Sequence, residues 1–195
     1  MTVVINLIGA AGCGKSTTAL GLTYILKKNK IHVEYVPEYV KRFAWEGRSV
    51  GRWHQLSILG RQWTDESICY EKLDVVVTDS PLLLIPFYES YLEGLDHCES
   101  VVMGMLAKAR DAGVHHEYFF LGPTDFYDPR GRFVDAGKAR ETSLILKSWL
   151  DKRSVGCHTV SSLDADERVN SILQTLENRG LVKLPGPKSM ATETD

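Results

Sequence analysis

A short, mostly β-branched run, Val3-Val4-Ile5-Asn6-Leu7-Ile8, leads directly into Gly9-Ala10-Ala11-Gly12-Cys13-Gly14-Lys15-Ser16. The run reads as a buried strand ended by glycine. Residues 15–28, with Leu22, Ile25 and Leu26 on one side, read as a helix. The eight residues between fit GxxxxGK[ST] at every fixed position. Glycines there let backbone N–H groups turn inward around phosphate oxygens, and a helix starting at Lys15 aims its positive dipole end at the same place. The motif needs a strand before it and a helix after it, and both patterns are present. Gly9, Ala10, Ala11, Gly12, Cys13, Gly14, Lys15, Ser16 and Thr17 are therefore expected to hold the phosphates of ATP, or of GTP. Lys15 is expected at the β- and γ-phosphates and Ser16 at a magnesium ion. Cys13 reads as a small filler within the loop.

Strand and helix patterns alternate along the rest of the chain. Strands are expected at 31–36, 74–78, 117–121 and 156–160. Helices are expected at 38–45, 53–73 (Leu56, Leu59, Trp63 and Ser67 at helical spacing), 82–92, 100–111, 138–150 and 164–178. Pro86 is expected to kink or restart its helix. This order predicts an α/β fold of three layers, with a five-stranded parallel sheet covered on both faces. One domain is expected over 1–182, with an arginine-bearing lid at about 122–140 and a polar, disordered tail at 183–195. Ligands of such sheets sit at the carboxyl ends of the strands, here just after Ile8, Val36, Thr78 and Leu121.

Composition narrows the function classes. The formal net charge is −2, so no global basic field advertises nucleic acid. Cys13, Cys69, Cys98 and Cys157 form no CxxC pair. Neither zinc nor a disulfide framework is expected, and reduced thiols fit a cytoplasmic protein. His115-His116, His97-Cys98 and Cys157-His158 have no partners at ligand spacing and read as structural. No signal peptide is read, and no apolar run has the length of a membrane span, so a soluble, intracellular protein is expected. A homodimer is compatible with this composition.

Two acidic motifs stand at strand ends. Asp79-Ser80-Pro81 follows the third strand, which is expected beside the first, so Asp79 would face the magnesium ion. A helix N-cap is the competing role for Asp79. Pro37-Glu38-Tyr39-Val40-Lys41-Arg42 follows the second strand. Glu38 is the candidate base for a hydroxyl acceptor. Arg42 would instead serve a phosphate acceptor, and Tyr39 and Trp45 are further candidate acceptor contacts. Lys41, Arg42, Arg48, Arg52 and Arg61 are interleaved with Phe43, Trp45, Trp53 and His54, a pattern that suits one stacked nucleotide or a DNA strand. Arg130 and Arg132, with Arg140 beyond, are expected to close on the transferring phosphoryl group.

In this order these motifs resemble the P-loop kinases of nucleosides and nucleotides, over roughly residues 3–178. The resemblance implies a fold like that of nucleoside-monophosphate kinases, ATP with magnesium as cofactors, and a nucleoside or nucleotide as acceptor. Glu38-Tyr39-Val40-Lys41-Arg42 is similar to the Glu-Tyr-x-Arg segment of ribosylnicotinamide kinases and of small phage-encoded kinases. Some of the latter phosphorylate 5-hydroxymethyluracil within DNA, so a modified base in DNA is the alternative acceptor. Deoxynucleoside kinases are also similar, but Asp79-Ser80-Pro81 lacks the arginine of their acid-Arg-Ser motif. A P-loop NTPase with no small-molecule acceptor is a third alternative.

Overall fold

Val3, Val4, Ile5, Leu7 and Ile8 are at most 1% exposed, which requires cover on both faces of the strand they form. A computed structural model, which describes residues 1–51 and 54–185, shows that cover. The strands are β1 (Thr2–Ile8), β2 (Val33–Val36), β3 (Val75–Thr78), β4 (Val114–Leu121) and β5 (Cys157–Val160). The helices are α1 (Lys15–Lys28), α2 (Lys41–Trp45), α3 (Gln55–Ser67), α4 (Leu84–Glu93), α5 (His97–Asp111), α6 (Ala136–Lys152) and α7 (Ala165–Asn178). All strand pairs are parallel, in the order β2-β3-β1-β4-β5, with Ile5 opposite Val77 on one side and Glu117 on the other.

Side-chain alternation along β1 divides the layers. Val3, Ile5 and Leu7 pack with Leu22 and Leu26 of α1 and with Ile172 and Leu176 of α7. Ile8 faces the opposite side, among Leu59 of α3, Phe87 of α4, Val102 of α5 and Leu146 of α6. Because β3 and β4 flank β1, the loops after Ile8, Thr78 and Leu121 emerge side by side, with the turn after Val36 next in line.

Several elements depart from the sequence expectation. α3 ends at Ser67 rather than near 73, and Leu56 is 66% exposed while Gln62 and Glu66 are fully buried. The buried stripe of α3 is thus partly polar, which apolar spacing does not reveal. Pro86 neither kinks nor restarts α4; it lies in the first turn, where a missing N–H forfeits no helical bond. β4 begins at Val114, with His115 opposite Val3 and His116 opposite Val4. Packing and hydrogen bonding also continue past 182, since Leu184 packs on the α1–α7 core and donates its N–H to Glu177 Oε1 at 3.2 Å. Arg52, Trp53 and residues 186–195 lie outside the described residues, so the expectations placed on them stand apart from this description.

The polar stripe of α3 meets a buried polar group on the sheet. Asn6 Nδ2 lies 3.3 Å from His116 Nδ1, Tyr70 hydroxyl lies 3.4 Å from His116 Nε2, and the same hydroxyl donates to Glu66 Oε1. Burial pushes Glu66 up to about 7, with the Tyr70 hydrogen bond opposing it. Burial first, and His115 second, bring His116 down to about 4. A carboxyl held above its unfolded value contributes stability fully below that value and loses it as pH rises through the folded one. For Glu66 that window is about 4.5 to 7. His116 works with the opposite sign between about 4 and 6.5, so the wild-type slopes partly cancel. Glu66→Gln removes only the first. Compared by urea unfolding at pH 5 and pH 8, the variant is expected to gain on wild type with rising pH, by on the order of 2–3 kcal/mol. An equal stability difference at both pH values would show that Glu66 ionises freely.

Candidate phosphate and acceptor site

The loop between β1 and α1 depends on glycine where φ is positive. Gly12 has φ 77° and Gly14 φ 85°, a left-handed conformation at the N-cap of α1 that side chains resist. A Cβ on Gly12 would also stand 2.4 Å from the Tyr127 ring. Lys15 Nζ donates to Gly9 O at 2.8 Å and Ala10 O at 2.9 Å. Burial opposes the charge of Lys15, but Cys13, Glu38, Tyr88 and Asp79 outweigh it, so the ammonium is held above its ordinary value.

Asp79, 1% exposed, ties three elements together. Its Oδ2 accepts from Ser16 Oγ at 2.5 Å and its Oδ1 from the Glu38 N–H at 3.0 Å. Tyr35 of β2 lies nearby, and burial first, with the charge of Asp79 second, raises that phenol far above its usual range. Asp79 caps no helix: α4 begins only at Leu84, after an N-cap at Leu83. Ser16 and Asp79 form a hard oxygen pair, the donor type that magnesium takes together with phosphate oxygens and water. Among the described residues no cluster of three or more His, Cys, Asp and Glu side chains forms a separate metal site.

Beside this pair opens a cavity of about 370 Å³. Lys15, Glu38, Lys41, Arg132 and Lys138 supply its charged wall, and Val50, Ile58, Leu84, Ile85 and Tyr88 much of its apolar wall. Glu38 is half-buried there. Burial raises its carboxyl most; Lys15 pulls down, Asp79 pushes up, Arg132 and Lys41 pull down, and the sum lies above the ordinary value. Tyr88 is pushed up to about 12, chiefly by burial.

The two arginines expected to close on the phosphoryl group divide. Arg132 lines the cavity, and its Nε is buried with no hydrogen-bond partner among the described residues. Arg130 does not: its side chain is 80% exposed and grips Asp128, with Nη2 to Oδ2 at 2.8 Å and Nε to Oδ1 at 3.0 Å. The segment between β4 and α6 lies on the phosphate loop, since Thr124 Oγ1 donates to Gly12 O at 3.1 Å and the Tyr127 ring covers Gly12. Arg140 lines a small crevice beside Gly12 and Tyr127.

Tyr39, Arg42 and Trp45 also differ from expectation, because none lines the cavity. The Arg42 guanidinium lies 4.1 Å from the centroid of the Tyr39 ring and donates to its hydroxyl. Trp45, 66% exposed, packs against Gly131, where a Cβ would stand 2.6 Å from the indole. These side chains turn to the rim because the turn after β2 aims only Glu38, Val40 and Lys41 inward.

Three neighbours of the site escaped the sequence reading. Tyr35 and Tyr88 sit in apolar patterns that give no sign of a polar partner. Arg168 is 3% exposed, and it donates to Cys13 O at 2.7 Å and Ser162 O at 2.6 Å, clamping the phosphate loop to the segment before α7. An arginine directly before the Val169 stripe of a helix was its only signal.

A family model described as an AAA domain matches residues 4–168. The chain belongs to that family. Among solved structures, "Crystal structure of APE1195" is 15% identical with a TM-score of 0.53, over 91% of this chain and 95% of that one. The hexameric APS kinase from Thiobacillus denitrificans is 17% identical with a TM-score of 0.53, over 94% of this chain and 30% of that chain. This AAA domain protein therefore spans under a third of that kinase. At these identities the likeness shows the fold, a P-loop kinase-like α/β sandwich. No curated protein matches the chain. Among the described residues no helix is long and apolar enough to cross a membrane.

Proposed function

We propose that this chain is a kinase that moves the γ-phosphoryl group of ATP, with magnesium, to a hydroxyl of a nucleoside or nucleotide. The observation that carries this is the shared wall of Lys15 and Glu38: a phosphate-loop cation and a carboxyl of raised affinity for protons face one cavity. Glu38 accepts the proton of the acceptor hydroxyl as its oxygen bonds to phosphorus and the bond to the β-phosphate oxygen breaks. A carboxyl poised above its ordinary value suits that role better near neutral pH. Lys15 and Arg132 offset charge on the transferring group. Magnesium, held by Ser16 and Asp79, would supply further charge neutralisation across the phosphate oxygens. The mostly apolar remainder of the cavity suits the body of a nucleoside.

A second acceptor, a hydroxymethylated base within DNA, is favoured by one feature. Outside the cavity Arg42 lies over Tyr39 and Arg48 lies 4.1 Å from the Phe43 centroid, with Arg61 5.9 Å from the Tyr39 centroid. The arginines are exposed while Phe43 is buried and Tyr39 half-buried, so this face offers cations for the backbone of a strand whose target base enters the cavity. The test is transfer from γ-labelled ATP to free nucleosides, nucleotides and hydroxymethyluracil-containing DNA, each at two salt concentrations. Labelling of free nucleosides or nucleotides supports the leading proposal. Labelling of DNA alone, with apparent affinity falling steeply as salt rises, supports the second. Labelling of no acceptor contradicts both.

The metal site has its own test. Asp79→Asn keeps the shape of the side chain but loses its charge, so the magnesium concentration giving half-maximal activity is expected to rise about 10- to 100-fold. A magnesium titration of the two proteins checks it, and superimposable curves would remove Asp79 from the metal site.

A further inference from the structure

The turn between β2 and α2 carries Glu38, and two side chains hold its N–H groups. Glu38 N–H donates to Asp79 Oδ1 at 3.0 Å, and Tyr39 N–H donates to Gln62 Oε1 at 3.3 Å. Asp79 is accounted for by the metal site. Gln62 is not, and its setting is unfavourable: it is 0% exposed, and its Nε2 has no hydrogen-bond partner among the described residues. Glu66, one helical turn along the same face of α3, is also 0% exposed with Oε2 unpartnered. A buried amide with an idle N–H destabilises a protein, and an apolar side chain of the same size would avoid that cost. Among the described residues the one bond Gln62 makes, through Oε1, is to the peptide next to Glu38.

We propose that Gln62 is a positioning residue that acts through Glu38: by holding the Tyr39 peptide it fixes the direction in which the Glu38 carboxylate enters the cavity. This rests on the kinase proposal for its consequence in turnover, and on geometry alone for its effect on the turn. The turn has few other supports, since the Lys41 N–H reaches Glu38 O only at 3.4 Å. Below Gln62 the same helix face is anchored to the sheet, where Glu66 accepts from the Tyr70 hydroxyl and Tyr70 neighbours His116. Gln62 thus transmits a fixed reference from β4 and α3 to a turn that has no regular structure of its own.

The test is Gln62→Met, which keeps length and volume but lacks the amide. Turnover is expected to fall about tenfold or more, because small misplacements of a reacting group are costly. KM for ATP is expected to stay within about twofold and the melting temperature to change little, because one unpaired buried N–H group is removed while the Tyr39 N–H loses its acceptor. Hydrogen exchange at the Tyr39 amide should quicken about tenfold or more, having lost its acceptor. A merely structural glutamine would instead lower the melting temperature and leave turnover per folded molecule unchanged even where Tyr39 exchange quickens, which would overturn the proposal. If wild type labels no acceptor, the kinase proposal falls separately, and Tyr39 exchange still decides: quickened supports the role of Gln62, unchanged overturns it. Should Gln62→Met not fold, Gln62→Asn, one methylene too short to reach, is read by the same exchange and turnover measurements.

Discussion

Lys15→Ala is expected to lower phosphoryl transfer by about 10²-fold or more, because it removes a half-buried cation of the phosphate loop that would neutralise charge on the group during transfer. The fold should tolerate the change. Among the described residues Lys15 Nζ hydrogen-bonds within its own loop, to Gly9 O, Ala10 O and the more distant Cys13 sulfur at 3.9 Å, and the core beneath is built from Leu22, Leu26 and their partners. Turnover and thermal unfolding measured on the same preparation separate the two effects. A variant with an unchanged melting temperature and near-normal turnover would remove the phosphate loop from the chemistry.

Glu38→Gln is expected to cost about 10² to 10⁴ in turnover, the usual worth of a positioned general base. The substitution keeps the Glu38 N–H on Asp79, so the turn should hold its place. ATP affinity should barely move, since the backbone of the phosphate loop is untouched. The wild-type pH profile should show activity rising with pH as the carboxyl loses its proton, with a midpoint above that of an ordinary glutamate, in keeping with the burial that raises it. The variant should lose that rising limb. Turnover within about threefold of wild type would point to an acceptor that arrives already ionised, a phosphate, for which no base is required.

The contrast between these residues and their neighbours shows how much the sequence could reveal. The phosphate loop is legible because its chemistry is local: glycines at positive φ, a lysine and a serine at the start of one helix. Asp79 and Glu38 are legible one step further out, since parallel strands put their carboxyl ends together whatever the detailed packing. Beyond that range the signal fails. Tyr39, Arg42 and Trp45 lie within seven positions of Glu38, yet they form the rim, because the direction of each side chain depends on the turn that Asp79 and Gln62 hold. Arg130 and Arg132 look equivalent in sequence, but Asp128 occupies one of them and leaves the other facing the cavity. The buried column of Gln62, Glu66 and Tyr70 reads as an ordinary polar helix face until its partners on β1 and β4 are known.

The most direct measurement follows the γ-phosphate itself. With γ-labelled ATP, magnesium and a mixture of nucleosides, nucleotides and hydroxymethyluracil-containing DNA, the label is partitioned between organic ester and inorganic phosphate. A kinase with Glu38 as base predicts label in an ester that resists mild acid, and loss of that product in Glu38→Gln while ATP binding persists. Label appearing only as inorganic phosphate, at the same rate with and without acceptors, would contradict it and leave a nucleotide hydrolase.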